Sequence, residues 1–183
     1  MSTSFLFILE KNLSSIQKEQ IGKFNEESFG DVSLEEKEEN FIAKPFARLI
    51  AYLDGIPVGT LQLFKRENRF ASKSFMLGGI GGVCVTEKHR KKGIGKELIQ
   101  KALEILRNEH CDVACLNVDS KKLAFKLYEK VGFVLMDRDA SFENSKGEII
   151  YEPGTMFAPV LSQSIFALIM QSSETFHYGV GYW

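Results

Sequence analysis

Between Gly82 and Leu106 the hydrophobic period of the chain changes once and abruptly. Gly82-Val83-Cys84-Val85 is a short apolar run. His89 to Gly95, "HRKKGIG", is basic and carries two glycines, and Ile94, Leu98, Ile99, Ala102, Leu103, Ile105 and Leu106 then recur at helical spacing. The pattern predicts a buried strand handing over to a helix at 93–108 that packs along one apolar stripe. The free backbone N–H groups of such a helix start, with the positive end of its dipole, cradle phosphate oxygens. Glycines at 93 and 95 let those oxygens approach without an intervening side chain. From 87 to 101, Lys88, Arg90, Lys91, Lys92, Lys96 and Lys101 face only Glu87 and Glu97, on a chain whose formal net charge is -1. The turn could merely reverse the chain, but that local excess favours a bound anion.

Spacing removes two familiar phosphate loops. A Walker A loop needs glycine five residues before the glycine of Gly-Lys and Ser or Thr after it, where this chain has Arg90 and Glu97. A dinucleotide loop needs a third glycine at the position of Leu98. What remains is R-x-x-G-x-G after a strand.

Around this turn the pattern gives one domain, 1–183, of α/β class. A strand is expected at 4–9, a helix at 14–29 capped by Ser14 or Ser15, and a short helix at 33–43. Strands at 47–53 and 57–65 pair around Asp54-Gly55, and a long strand at 74–86 is invited to bulge by Gly78-Gly79 and Gly81-Gly82. A strand at 112–118 and a helix capped by Ser120, carrying Ala124, Leu127, Tyr128 and Val131 and stopped by Gly132, come next. A strand at 133–136, a polar loop of about 25 residues, a last strand at 164–170 and an aromatic tail complete the expectation.

Composition narrows the function classes. Apolar residues at 44% and charged residues at 26% are ordinary for a globular domain, and the balanced charge argues against a nucleic-acid glove. The basic 88–101 stretch lacks the interleaved aromatics that single strands stack upon. Cys84, Cys111 and Cys115 are odd in number and have no C-x-x-C spacing, which fits a reduced cytoplasmic compartment and no metal site. Phe5 to Leu9 has no basic flank, and no apolar run nears the ~20 residues of a membrane span.

The stretch "GGVCVTEKHRKKGIGKELIQKAL", followed by "ACLNVDSKKLAFKLYEKVGFVLMDR", closely resembles the GCN5-related N-acetyltransferase superfamily over roughly Gly78 to Arg138. The resemblance implies a mixed, mostly antiparallel central sheet with helices on both faces. It implies acetyl-CoA as cosubstrate, no metal, and direct transfer of the acetyl group to a primary amine. By resemblance the backbone of Arg90, Lys91, Lys92, Gly93, Ile94 and Gly95 holds the pyrophosphate. Backbone groups of Val83 and Val85 would bind the pantetheine arm, and Tyr128 would protonate the departing thiolate; the alternative reading of Tyr128 is a core aromatic on the helix's inner face. Lys121 stands where relatives often carry Asn, so Asn117 at the strand end is the candidate substitute, with a purely structural strand-end Asn as the alternative. Relatives often place a Glu just ahead of the loop, and residues 80–85 contain no acid. Asp31, His177 and a terminal carboxylate on Trp183 are the candidate bases, beside a water chain with no dedicated base.

The acceptor side rests on fainter signs. Residues 26–39 hold seven acids and one Lys, which suits a cationic acceptor or simply a solvated helix face. Element order, Gly30-Asp31 and the tail ending at Trp183 resemble the aminoglycoside 2′-N-acetyltransferases, with departures at Gly81 and Gly181. The expected partner is therefore a small cationic amine lined by Asp31 and Trp183, with no nucleic acid or membrane partner and room for a homodimer. The alternative is a CoA-binding regulatory or interaction module without catalysis.

Overall fold

Asp54 and Gly55 both take positive φ, 49° and 81°, the geometry of a two-residue hairpin turn. The turn joins strand β2 (Ala47–Leu53) to β3 (Ile56–Phe70). The structure is a computed structural model and describes residues 3–30 and 32–183. The remaining elements are β1 (Thr3–Leu9), α1 (Ser15–Phe29), α2 (Leu34–Asn40), β4 (Lys73–Val85), α3 (Ile94–Asn108), β5 (Val113–Asn117) and α4 (Leu123–Lys130). They continue with β6 (Val134–Leu135), β7 (Ala140–Glu143), β8 (Ile149–Glu152), β9 (Thr155–Pro159), α5 (Gln163–Gln171) and β10 (Phe176–Val180).

The main sheet runs β1-β2-β3-β4-β5-β9-β6, and a small second sheet runs β10-β7-β8. Every pair of the main sheet is antiparallel except β4 with β5. That parallel ladder holds only at Leu77–Val113, Gly78–Ala114 and Gly79–Cys115. Beyond it the two central strands are no longer paired, and the sheet opens at the middle.

Alternation along β2 decides which helix lies where. Ala47, Leu49 and Ala51 pack in one cluster with Leu98, Ile99, Ala102 and Leu106 of α3 and Tyr128 of α4. Ile50, pointing the other way, meets Leu13 and Ile21 on the α1 side. Farther along, Val113, Cys115 and Phe157 share a cluster with Ile169 of α5 and the tail aromatics. Helices thus cover both faces, as expected of a mixed, mostly antiparallel sheet.

The sequence expectations fail chiefly after Met136. Residues 137–163 are no polar loop: they contain β7, β8 and β9, strands of only four or five residues whose period is too brief to read. Residues 164–170 are helical and not a strand, because Ser162 accepts from the Ile165 N–H and caps α5. A short continuous apolar run such as Ile165 to Met170 fits a buried strand and a buried helix equally. The second helix ends at Asn40, and α4 begins after Lys122 without a side-chain cap, so Ser120 is not its cap. β3 extends to Phe70 because its turn into β4 uses Ala71 and Ser72, both at positive φ (44° and 63°), with no glycine to announce it.

Candidate active site

The site begins with a defect in the β3–β4 ladder. Thr60 faces Cys84 and Gln62 faces Gly81, so Leu61 opposes two residues, Gly82 and Val83. Gly82 takes φ +55°, and a Cβ there would lie 2.7 Å from the Gln62 Oε1. Only glycine fits this bulge without displacing Gln62. The bulge takes the Val83 main chain out of register with β3, just before the basic loop.

The loop is held by its own polar groups. Arg90 Nε donates to the Val85 carbonyl at 2.9 Å, so this carbonyl is engaged in the structure. The Arg90 guanidinium also lies 3.9 Å from the Glu27 carboxylate, which accepts from the Glu87 N–H at 2.8 Å. Thr86 Oγ1 and His89 Nδ1 are 2.8 Å apart. Lys91 and Gly93 then both adopt left-handed backbone, φ +62° and +86°. A non-glycine residue in that region is strained, and alternation of this kind turns successive N–H groups toward a common point.

Gly93 is also the N-cap of α3, and no side chain caps the helix. Lys91, Lys92 and Gly93 are exposed, whereas the Ile94 side chain is buried and can offer a ligand only its backbone. Gly95 has a packing reason besides: a Cβ there would come within 3.3 Å of Leu127 Cδ2 on α4.

Tyr128 sits near the end of α4, edge-on to Phe133 with centroids 6.2 Å apart and only 6% exposed. Burial pushes its hydroxyl up to about 12, so it remains a proton donor across the physiological range. Among the described residues the hydroxyl has no hydrogen-bond partner to compete with a ligand.

Asn117 ends β5 on the tail-aromatic side of the sheet. Its Nδ2 donates to the Pro153 carbonyl at 2.6 Å, and the Val118 N–H donates to the Gly154 carbonyl at 3.1 Å. The turn after β8 is thereby fixed against the open end of β5.

The other candidates are dispersed. Asp31 lies outside the described residues. His177 is exposed, with Nδ1 at 3.0 Å from Ser141 Oγ. Trp183 is 8% exposed, stacks on Phe64 at 5.2 Å and fills the space beside Gly79, where a Cβ would come within 2.4 Å of the indole. Its main-chain carbon would lie 3.2 Å from a Cβ at Gly81. The tail thus fills the space beside Gly79 and Gly81, which accounts for glycine at both positions.

Tyr182, Thr155 and Glu152 are polar side chains that the sequence pattern does not single out. Tyr182 and Thr155 are buried, and Glu152 is half-buried with its carboxyl raised by desolvation and by the neighbouring Glu36 and Asp139 charges. Glu152-Pro153-Gly154 does read as a strand end followed by a turn, but that signal fell inside the segment taken for a loop.

The mixed sheet, helices on both faces and parted central strands define a GNAT-type α/β fold. The chain belongs to the acetyltransferase (GNAT) family, whose sequence model matches residues 13–133. N-alpha-acetyltransferase 30 of Xenopus laevis is 41% identical over 63 residues, which are 34% of this chain and 23% of that protein. The chain therefore spans under a quarter of that relative's length. Among solved structures, Escherichia coli ElaA superposes with a TM-score of 0.61 at 15% identity, covering 86% of this chain and 99% of ElaA. An aminoglycoside acetyltransferase, HMB0005, from an uncultured soil metagenomic sample gives 0.56 at 21% identity over 72% of this chain and 91% of its own. These structural likenesses speak for the fold alone. No helix among the described residues is long and apolar enough to cross a membrane.

Proposed function

We propose that the chain is an acetyl-CoA-dependent N-acetyltransferase whose acceptor is a primary amine on a small cationic molecule. The observation that carries it is the sequence of bulge, left-handed loop and uncapped helix start from Gly82 to Ile94, with Tyr128 held protonated on the next helix. The loop's N–H groups and Lys91 and Lys92 suit a pyrophosphate. The Val83 main chain, out of the ladder, suits the pantetheine amides. A thiolate leaving a thioester is helped by a donor, and Tyr128 supplies one.

The acceptor could instead be a protein N-terminus, a reading favoured by the 41% identity to N-alpha-acetyltransferase 30. Both acceptors arrive as ammonium ions, and both suit acidic surroundings. The test is calorimetric titration with acetyl-CoA, followed by thiol release in the presence of spermidine, an aminoglycoside, free amino acids and peptides with free N-termini. Micromolar-class binding with transfer to the small polyamines is expected. Transfer to peptides alone would move the acceptor to protein N-termini. Binding without transfer to any amine would leave a CoA-binding module.

A further inference from the structure

Glu27 stands where electrostatics disfavours it twice. It lies in the last turn of α1, where the helix dipole opposes an acid. It also stands beside a basic loop suited to phosphate, where a carboxylate weakens the attraction for an anion. Yet the loop is built onto it. The Glu27 carboxylate accepts from the Glu87 N–H at 2.8 Å and lies 3.9 Å from the Arg90 guanidinium. Both charged side chains are about half exposed, so the ion pair contributes little by charge alone. What Glu27 supplies is geometry.

The backbone shows why the loop takes an outside partner. After β4, residues 87–89 form a single 3₁₀ turn, in which the His89 N–H donates to the Thr86 carbonyl at 2.8 Å and the Arg90 N–H to the Glu87 carbonyl at 3.2 Å. Thr86 stands at the cap position but its side chain does not cap the turn, because its hydroxyl is 2.8 Å from His89 Nδ1. The Glu87 N–H is left to Glu27, a capping group brought from 60 residues away in the chain. The turn in its course sends Arg90 back along β4, where Nε reaches the Val85 carbonyl at 2.9 Å. Only then do Lys91 and Gly93 take their left-handed angles. The Glu27–Glu87 bond thus fixes the first step of the path that shapes the phosphate cradle.

The charged groups of the loop divide accordingly. Arg90 is engaged by the protein, through Val85 and Glu27. Lys91 and Lys92 are exposed and have neither a hydrogen bond nor an ion pair among the described residues, which leaves them for a ligand. Glu97 of α3 also faces the loop, its Oε1 3.9 Å from where a Cβ on Gly93 would stand, but it makes no bond among the described residues. Of these two acids Glu27 alone holds the loop.

We propose that Glu27 is a positioning residue for the cofactor loop: through Glu87 and Arg90 it holds the loop in its phosphate-accepting shape and ties α1 to whatever the loop binds. The proposal rests on the acetyl-transfer reading above and deepens it, since α1 carries the start of the acidic 26–39 segment. Cofactor binding is then felt in α1, on the far side of the loop from α3.

The experiment compares wild type, Glu27→Gln and Glu27→Ala by calorimetric titration with acetyl-CoA at low and high salt, and follows amide hydrogen exchange over residues 23–29 with and without acetyl-CoA. Gln keeps an oxygen for the Glu87 N–H and removes the repelling charge, so binding should tighten by about twofold at low salt and lose that gain at high salt. Ala removes the charge and the acceptor together, and its affinity should fall by about 3- to 10-fold at both salts, the scale of one net hydrogen bond. Acetyl-CoA should slow exchange over 23–29 in wild type and Glu27→Gln but not in Glu27→Ala. Equal tightening in both variants would reduce Glu27 to a repelling charge and overturn the proposal. Unchanged affinity in Glu27→Ala, or no slowing of exchange in wild type, would overturn it as well. Each of these leaves the transfer reading standing, whereas failure of wild type to bind acetyl-CoA would sink both.

Discussion

Tyr128 combines two properties that ordinarily conflict, burial and an uncommitted hydroxyl. Tyr128→Phe keeps the ring against Phe133 and leaves no bonded partner stranded, so stability at neutral pH should change by less than about 0.5 kcal/mol. Turnover should fall by roughly 10²–10⁴ while acetyl-CoA still binds; equal turnover would return Tyr128 to the core. The folded hydroxyl titrates near 12, against about 10 in an unfolded chain. The neutral form therefore contributes stability that is whole below pH ~10 and is lost as pH rises through about 12. Denaturant titrations across that window should show a steeper alkaline loss in wild type than in Tyr128→Phe. The cysteines follow the same logic. Burial pushes Cys84 to about 11 and Cys111 to about 12, and Cys115 higher still. A thiol reagent at pH 8 should find no reactive sulfur in the native protein and three after denaturation. Any native labelling would show that one of these positions opens.

Among the elements, the strand, loop and helix from Gly82 to Asn108 were legible in the sequence because each announces itself separately: a short apolar run, paired glycines among cations, a long apolar stripe. The hairpin at Asp54-Gly55 was equally plain. What could not be read was the 140–171 region, where strands of four or five residues and a helix apolar on most sides leave no distinct period. Glu152 and Thr155 were lost with it, since they are positioned by pairings to Ala140 and Asn117 that no local pattern encodes. The loop allows a test in which stability and binding move oppositely. Lys91→Gly removes a side chain from left-handed backbone, worth about 1 kcal/mol, and also removes a cation facing the proposed phosphate cradle. Thermal stability should rise or hold while acetyl-CoA affinity falls severalfold and loses part of its salt dependence. Wild-type affinity would mean that the Lys91 ammonium does not meet the phosphates. Gly95 is a poor probe by comparison, because any side chain there would press α3 away from Leu127 and disturb Tyr128 as well.

For the molecule as a whole, two side chains of β3 tie the tail to the sheet. Asn68 Nδ2 donates to the carbonyls of His177 and Tyr178. Arg66 on β3 donates to the carbonyls of Tyr178, Val180 and Gly181 at 2.9, 3.0 and 3.3 Å. Its guanidinium also lies 4.5 Å from the centroid of the Trp183 ring. Arg66→Ala should cost about 2–4 kcal/mol, since charge-assisted bonds and a cation–π contact are lost together. A denaturation midpoint within error of wild type would show that aromatic packing, the Asn68 bonds and the tail's main-chain bonds hold it without Arg66. The wedge that Trp183 forms beside Gly79 has a kinetic side too. The Arg66 bonds close loops of well over a hundred residues, far costlier to form early than the neighbouring-strand contacts of β1 to β4. Docking of the tail should therefore come late in folding, after the main sheet has assembled around an open slot at Gly79 and Gly81. Until it docks, that slot exposes apolar backbone and ring faces at the centre of the sheet. A nascent or refolding chain is then most vulnerable to misassociation in its last step, and a refolding trace followed by Trp183 fluorescence should lag one followed by sheet formation.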